Sequence, residues 1–166
     1  MPKVWRVTTI VAQTCAVIGL VLLVAFAIGT LGDGLLRRFA GRPIEAVRDA
    51  GGLVVAIAVV CCMPLALLQR ANITIKFVQA FFGARVGSYF DAIASVAIEI
   101  VLAFVARQFF IYATALAQTG DTTTMLSIRT APFWFVVSAV LWIAVATQGV
   151  VVAQQMLTAF GRRATT

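Results

Sequence analysis

The chain of 166 residues is 62% hydrophobic and only 11% charged, with a mean hydropathy of +1.03 and a formal net charge of +7. A water-soluble fold of this size needs far more polar surface, so a soluble globular domain is excluded. The absence of histidine removes bis-histidine haem, histidine general bases and most zinc or copper sites.

No charged residue stands between Arg6 and Asp33, from Ala50 to Gln69, or from Thr130 to Gly161. Each gap is at least about 20 residues long, the length a helix needs to cross roughly 30 Å of hydrocarbon. A fourth stretch, about Val86 to Ala106, is mostly apolar but contains Asp91 and Glu99. The sequence therefore predicts an all-α integral membrane protein. A single domain over 1–166 has four transmembrane helices near 8–32, 50–69, 86–107 and 132–158, and a short interfacial amphipathic segment between the second and third.

The start, Met1-Pro-Lys-Val-Trp-Arg6, resembles the basic region of a secretory signal. The apolar run behind it is too long for a signal core and lacks a small-x-small cleavage site, so it is read as a retained first helix. Near its end, Ala25, Gly29 and Gly32 suggest close helix packing. Cys15 falls within this helix, and Cys61-Cys62 within the second. Adjacent α-carbons are about 3.8 Å apart, too close for an ordinary disulfide, and a thiol surrounded by hydrocarbon is a poor nucleophile. The three cysteines are read as small apolar residues. Membrane oxidoreductases of similar helix count need a Cys-x-x-Cys pair near one face, which this sequence lacks.

Between the first two helices, Gly41-Arg42-Pro43 forms a turn, and Asp49 stands near the positive end of the second helix dipole. After the second helix, Ile73, Phe77 and Phe81 share one helical face while Lys76 and Arg85 can snorkel. This is the pattern of a segment lying along the interface.

In the third span Ser88, Asp91, Ser95 and Glu99 are spaced three, four and four apart and form one stripe. With a span ending near 107, Glu99 falls close to mid-membrane, where an ionised side chain costs at least about 2.5 kcal/mol. Such a residue must face protein, face a water-filled crevice, or be held neutral. It is read either as a cation or proton site or as a buried hydrogen-bonding group that locks helices together. Gln13, Ser138, Thr147 and Gln148 are candidate interhelical hydrogen-bond partners. Before the fourth span, Pro132 fits the first helical turn and Trp134 the interfacial belt.

Taken in order, the loops resemble those of the small membrane subunit of tripartite ATP-independent periplasmic (TRAP) transporters, the DctQ-like family. Arg38-Phe39 followed by Gly41-Arg42-Pro43 is similar to the family's Arg-aromatic, Gly-x-Pro pattern, and Asp49 takes the place of its acidic residue opening the second helix. Arg70 with Ile73-x-Ile75 resembles the pattern after helix 2. Gly120, Thr122 or Thr124, Leu126, Ile128, Pro132 and Trp134 resemble the stretch before helix 4. Asn72 stands where the family often has His, Lys76 where it often has Asp, and Ala46 replaces a common Trp. Arg129-Thr-Ala separates Ile128 from Pro132, which the family usually joins.

The resemblance implies an accessory scaffold subunit and not an enzyme. Its partners would be a large multispanning subunit carrying the substrate and sodium sites, and an extracytoplasmic solute-binding protein that delivers an organic acid or similar small solute. It implies no cofactor and no metal of its own, no nucleic acid, and contact with membrane lipids. It places the chain in the bacterial inner membrane with both termini cytoplasmic. That side then holds Lys3, Arg6, Arg70, Lys76, Arg85, Arg162 and Arg163, against Arg37, Arg38, Arg42, Arg48, Arg107 and Arg129 outside, a small bias in the positive-inside direction.

Two groups of candidate residues follow. Arg37, Arg38, Arg42, Arg48, Asp121 and Arg129 are candidates for docking the binding protein, weighed against simple headgroup contact. Asp91, Ser95 and Glu99 are candidates for the seam with the large subunit. Two alternatives remain open: the small subunit of another tripartite carboxylate transporter, or a self-sufficient homo-oligomeric transporter that is proton-coupled through Glu99. A membrane enzyme has no nucleophile–base pair or metal cluster to build on.

Overall fold

In lipid every backbone amide must find its partner within the chain, so long apolar stretches become helices. The computed structural model describes residues 2–70, 84–123 and 125–161. Among these residues there are four helices, α1 (Pro2–Ala40), α2 (Glu45–Arg70), α3 (Ala84–Thr119) and α4 (Ala131–Gly161), each with a stretch long and apolar enough to cross a membrane. The fold is all-α. The expected interfacial segment around Ile73, Phe77 and Phe81 lies outside the described residues, as do the side chains of Ser88 and Asp91.

The threonine hydroxyls of α1 turn back on their own helix. The hydroxyls of Thr8, Thr9, Thr14 and Thr30 each donate to a carbonyl three or four residues back in α1, which satisfies them without a partner helix. Pro64 sits inside α2, fully buried, and the helix continues through it.

The helices are laid side by side in the order α1, α2, α4, α3, with α4 packed on both α2 and α3. Leu102, Ala106, Val137, Leu141 and Ala144 form the main core, with Ala56, Ile57 and Val60 of α2 against it. A second cluster joins Ala12, Leu68 and Val151, with Trp5 and Leu65 beside it. Between α1 and α2 the backbones approach closely at Gly19: a Cβ there would lie 2.7 Å from both Ala58 O and Cys61 Cβ. Gly29 stands at ordinary contact distance from Val47, and Gly32 has nothing within 4 Å. The close approach is thus two to three turns earlier in α1 than the sequence suggested.

Aromatic rings bracket the bundle. Trp134 stacks on Phe109 at 5.7 Å and meets Tyr112 edge-on at 5.2 Å, while Trp5 packs at the other end with Leu68 and Val151. From Trp134 to Val151 along α4 is about 26 Å, close to the thickness of hydrocarbon. Phe26 of α1 packs on Gly51, and Gly51 is as far from Leu68 as Trp134 is from Val151. The ends of α1, α2 and α3 beyond Phe26, Gly51 and Tyr112 therefore stand above the ring level.

The third helix departs from expectation. It continues to Thr119, so Arg107 lies on the helix, exposed, and not in the following loop. The loop is 120–130. Glu99 is about 20 Å from Tyr112 along the axis of α3.

Candidate functional site

The six outer charges singled out in the sequence converge on one end of the bundle, where α1 ends, α2 begins, α3 ends and α4 begins. α1 closes with Arg37 and Arg38 in its last turn, and Gly41 follows at φ +65, a conformation in which a side chain would be strained. Arg42 follows in the turn, and Arg48 lies in the first turns of α2; all four arginines are exposed. None of the four makes an ion pair with another described residue.

Two carboxylates order this end. Asp33, near the top of α1, accepts through Oδ1 from the backbone N of Ile44. Ile44 precedes the first residue of α2, so Asp33 caps a neighbouring helix from the side and not its own, satisfying a donor that the helix cannot. Asp49 lies one turn into α2 and accepts from Met125 N at 3.3 Å and Leu126 N at 2.9 Å. These amides belong to the loop between α3 and α4.

That loop is a small hairpin. Gly120, at φ +70, ends α3 with its N–H on Leu116 O at 3.1 Å, the usual glycine-terminated helix end. Thr122 and Arg129 pair as an isolated antiparallel bridge. Thr123 N donates to Ile128 O at 2.9 Å and Thr130 N to Asp121 O at 3.1 Å. Thr130 then serves as the cap of α4, its carbonyl accepting from Phe133 N at 3.1 Å. Asp121 and Arg129 are both exposed on this hairpin. They stand at the rim of a recess of about 380 Å³ whose apolar wall includes Leu116, Pro132 and Phe135.

The second candidate group lies within the spans and turns toward α4. Ser95 is buried, and its backbone carbonyl accepts from Gln148 Nε2 at 3.3 Å. Glu99 is half-buried beside Gly149: a Cβ on that glycine would be 3.6 Å from Glu99 Oε1. Glu99 Oε2 is buried and has no hydrogen-bond partner among the described residues. Asp91 belongs to the same helix, with its side chain outside the described residues.

Of the four expected interhelical polar residues, only Gln148 bridges two helices. Thr147 bonds back to Ile143 O at 2.8 Å, Ser138 is 1% exposed with no hydrogen-bond partner among the described residues, and Gln13 is exposed. The sequence assigns Asp33 no role, and marks Asp49 as a dipole partner and as the acidic residue of a family pattern, not as a tie to a distant loop. The separation of Asp49 from Met125 and Leu126, 76 and 77 residues, leaves no local signal; an aspartate in the loop-facing turn of a helix was the only hint. Arg107 was missed as a span residue because the polar Gln108 and Arg107 itself simulate a helix end.

Comparison with known families gives a match over residues 26–162 to the model described as "Tripartite ATP-independent periplasmic transporters, DctQ component". No curated protein and no solved structure matches the chain.

Proposed function

We propose a scaffolding role from one premise: the chain belongs to the DctQ family and is the small membrane subunit of a TRAP transporter. It is a multi-pass protein of the inner membrane and a transporter component, not an enzyme. The name of the system is tripartite, and the other two parts are, in this proposal, a large multispanning subunit and a soluble extracytoplasmic solute-binding protein. The large subunit holds the substrate and sodium sites; this chain enlarges the static wall against which it moves. The imported solute is an organic acid or a similar small molecule.

One observation carries this reading. Only 6% of the apolar stretch of α1 is buried within the chain, so a whole helix offers its flank to lipid or to another protein. Ala12 and Gly19 are its buried positions, and Val17, Leu20, Val21, Val24, Ile28 and Leu31 are exposed. The membrane interior of the chain has few charged side chains and so little with which to bind a solute.

Both termini are placed in the cytoplasm, so the end carrying Asp33, Asp49 and the hairpin faces the periplasm. Arg37, Arg38, Arg42, Arg48, Asp121 and Arg129 dock the binding protein there. Asp91, Ser95 and Glu99 form part of the seam with the large subunit: Ser95 ties α3 to α4, and Glu99 lies half-buried beside Gly149 at the edge of that contact.

The test is a mild-detergent pull-down of the tagged chain from its native cell, read by mass spectrometry. A stoichiometric partner with about ten or more hydrophobic spans is expected. A homogeneous assembly of this chain alone would sink the scaffold reading and favour a proton-coupled homo-oligomer. For the seam, Glu99→Leu is expected to lower the yield of large subunit recovered; intact assembly and transport would remove Glu99 from it.

A further inference from the structure

The Asp49 carboxylate is set against two successive amides of a distant loop, one on each oxygen: Met125 N on Oδ1 and Leu126 N on Oδ2. Consecutive N–H groups converging on one point form an anion-binding concavity. Here the anion is a side chain of α2. The same loop holds Ser127 at φ +52, a left-handed conformation that costs a non-glycine residue about 1 kcal/mol or more. Such a conformation persists only where surrounding contacts over-determine it. The hairpin supplies some of these itself: Ser127 N donates to Thr123 O at 3.2 Å and Ile128 N to Thr123 Oγ1 at 3.1 Å. Asp49 ties its tip to the rest of the bundle.

The neighbours give this latch a direction. Asp49 follows Arg48, which is exposed, and the hairpin it holds carries exposed Asp121 and Arg129. Asp33 fixes the start of α2 to α1 through Ile44 N. The connection from Asp33 to Ile44 and from Asp49 to Leu126 makes one braced unit of the ends of α1, α2 and the α3–α4 hairpin.

We propose that Asp49 is a positioning residue for docking: it holds the 121–130 hairpin in the shape that presents Asp121 and Arg129 beside Arg48 to the solute-binding protein, without touching that protein itself. The proposal rests on the docking reading given above. Without the carboxylate, the two amides would bond water and the hairpin would sample several shapes. The binding protein would then have to order it at docking, an entropic cost that appears as lost affinity.

The experiment uses the complete membrane complex in nanodiscs, with the purified solute-binding protein of the same transporter as the probe. Asp49→Asn preserves size but replaces one acceptor by an NH₂ group facing an N–H. Hydrogen exchange across 121–130 should accelerate, and the half-saturating concentration of binding protein should rise about tenfold, as expected for losing a hydrogen bond to a charged acceptor. Complex yield should stay unchanged. Arg129→Gln, measured in parallel, reports on docking itself. If Arg129→Gln weakens docking and Asp49→Asn does not, the positioning role is overturned and the docking surface stands. If neither variant moves the half-saturation, the docking reading fails and takes this inference with it. Unchanged exchange in Asp49→Asn also overturns the latch. Should that variant fail to assemble, Asp49→Glu, which keeps both acceptors on a longer arm, is measured the same way. An intermediate loss of docking supports the role, and failure to assemble again would make Asp49 purely structural and overturn it.

Discussion

α1 and α4 are nearly equal in hydropathy across their most apolar stretches, 2.5 and 2.2, yet 6% of the first is buried within the chain and 44% of the second. The difference lies in what they touch. α4 stands between α2 and α3 and reaches α1 as well, whereas α1 packs chiefly on α2. The inward face of α4 carries Ser138, Ala144, Thr147 and Gln148 along with Val137 and Leu141. α1 meets α2 through Ala12, Gly19 and Phe26, and most of its large side chains point away. In lipid an apolar side chain gains little by leaving one hydrocarbon environment for another, so small and polar residues mark the protein-facing side better than apolarity does.

Five substitutions, in three comparisons, break or sharpen this contrast. The largest effect is expected from Leu141→Ala in α4, which opens a cavity at a side chain 2% exposed and should cost about 2–4 kcal/mol. Leu20→Ala in α1, at a position 60% exposed, should stay within about 0.5 kcal/mol for the isolated chain. Unfolding of the two variants in the same detergent measures the difference, and equal losses would refute the assignment of α4 as the core helix.

A smaller effect comes from the one tight place on α1. Gly19→Ala forces a methyl to 2.7 Å from a backbone carbonyl of α2 and should cost about 1–3 kcal/mol. Gly32→Ala meets nothing within 4 Å and should be neutral or stabilising by up to about 1 kcal/mol through helix propensity. If both glycines behave alike by thermal unfolding, the α1–α2 crossing is not where the structure puts it.

The smallest is Gln148→Met, which removes the bond to Ser95 O while keeping volume. Interhelical hydrogen bonds of this kind average about 0.6 kcal/mol. The same unfolding measurement should show a loss of that size. A loss several times larger would mean that Gln148 also steadies Glu99, whose carboxylate lies against neighbouring Gly149.

Much of this architecture was legible beforehand. The charge-free stretches located α1, α2 and α4, and the loop residues around Gly41, Asp49 and Pro132 pointed to the family that the match over 26–162 establishes. The third helix was harder. Asp91, Glu99 and Arg107 interrupt its apolarity, and a span centred on the least charged window ends too soon. The helix continues because 108–119 has no Gly or Pro to stop it, and because Phe109 and Tyr112 gain a partner in Trp134, which no local window contains.

The sequence by itself determined that this chain is a helical membrane protein, how many spans it has and to which family it belongs. Those properties follow from local apolarity, which sets the solvent each segment can tolerate, and from short loop signatures read in order. Only the tertiary structure decided that α4 is central and α1 peripheral, that Gly19 and not Gly32 is the close contact, and that Asp33 and Asp49 brace one end of the bundle. Each of these depends on a partner outside the local stretch, from 11 residues away for Asp33 to 77 for Asp49, where hydropathy is silent and only packing and hydrogen-bond geometry select among arrangements of equal apolarity.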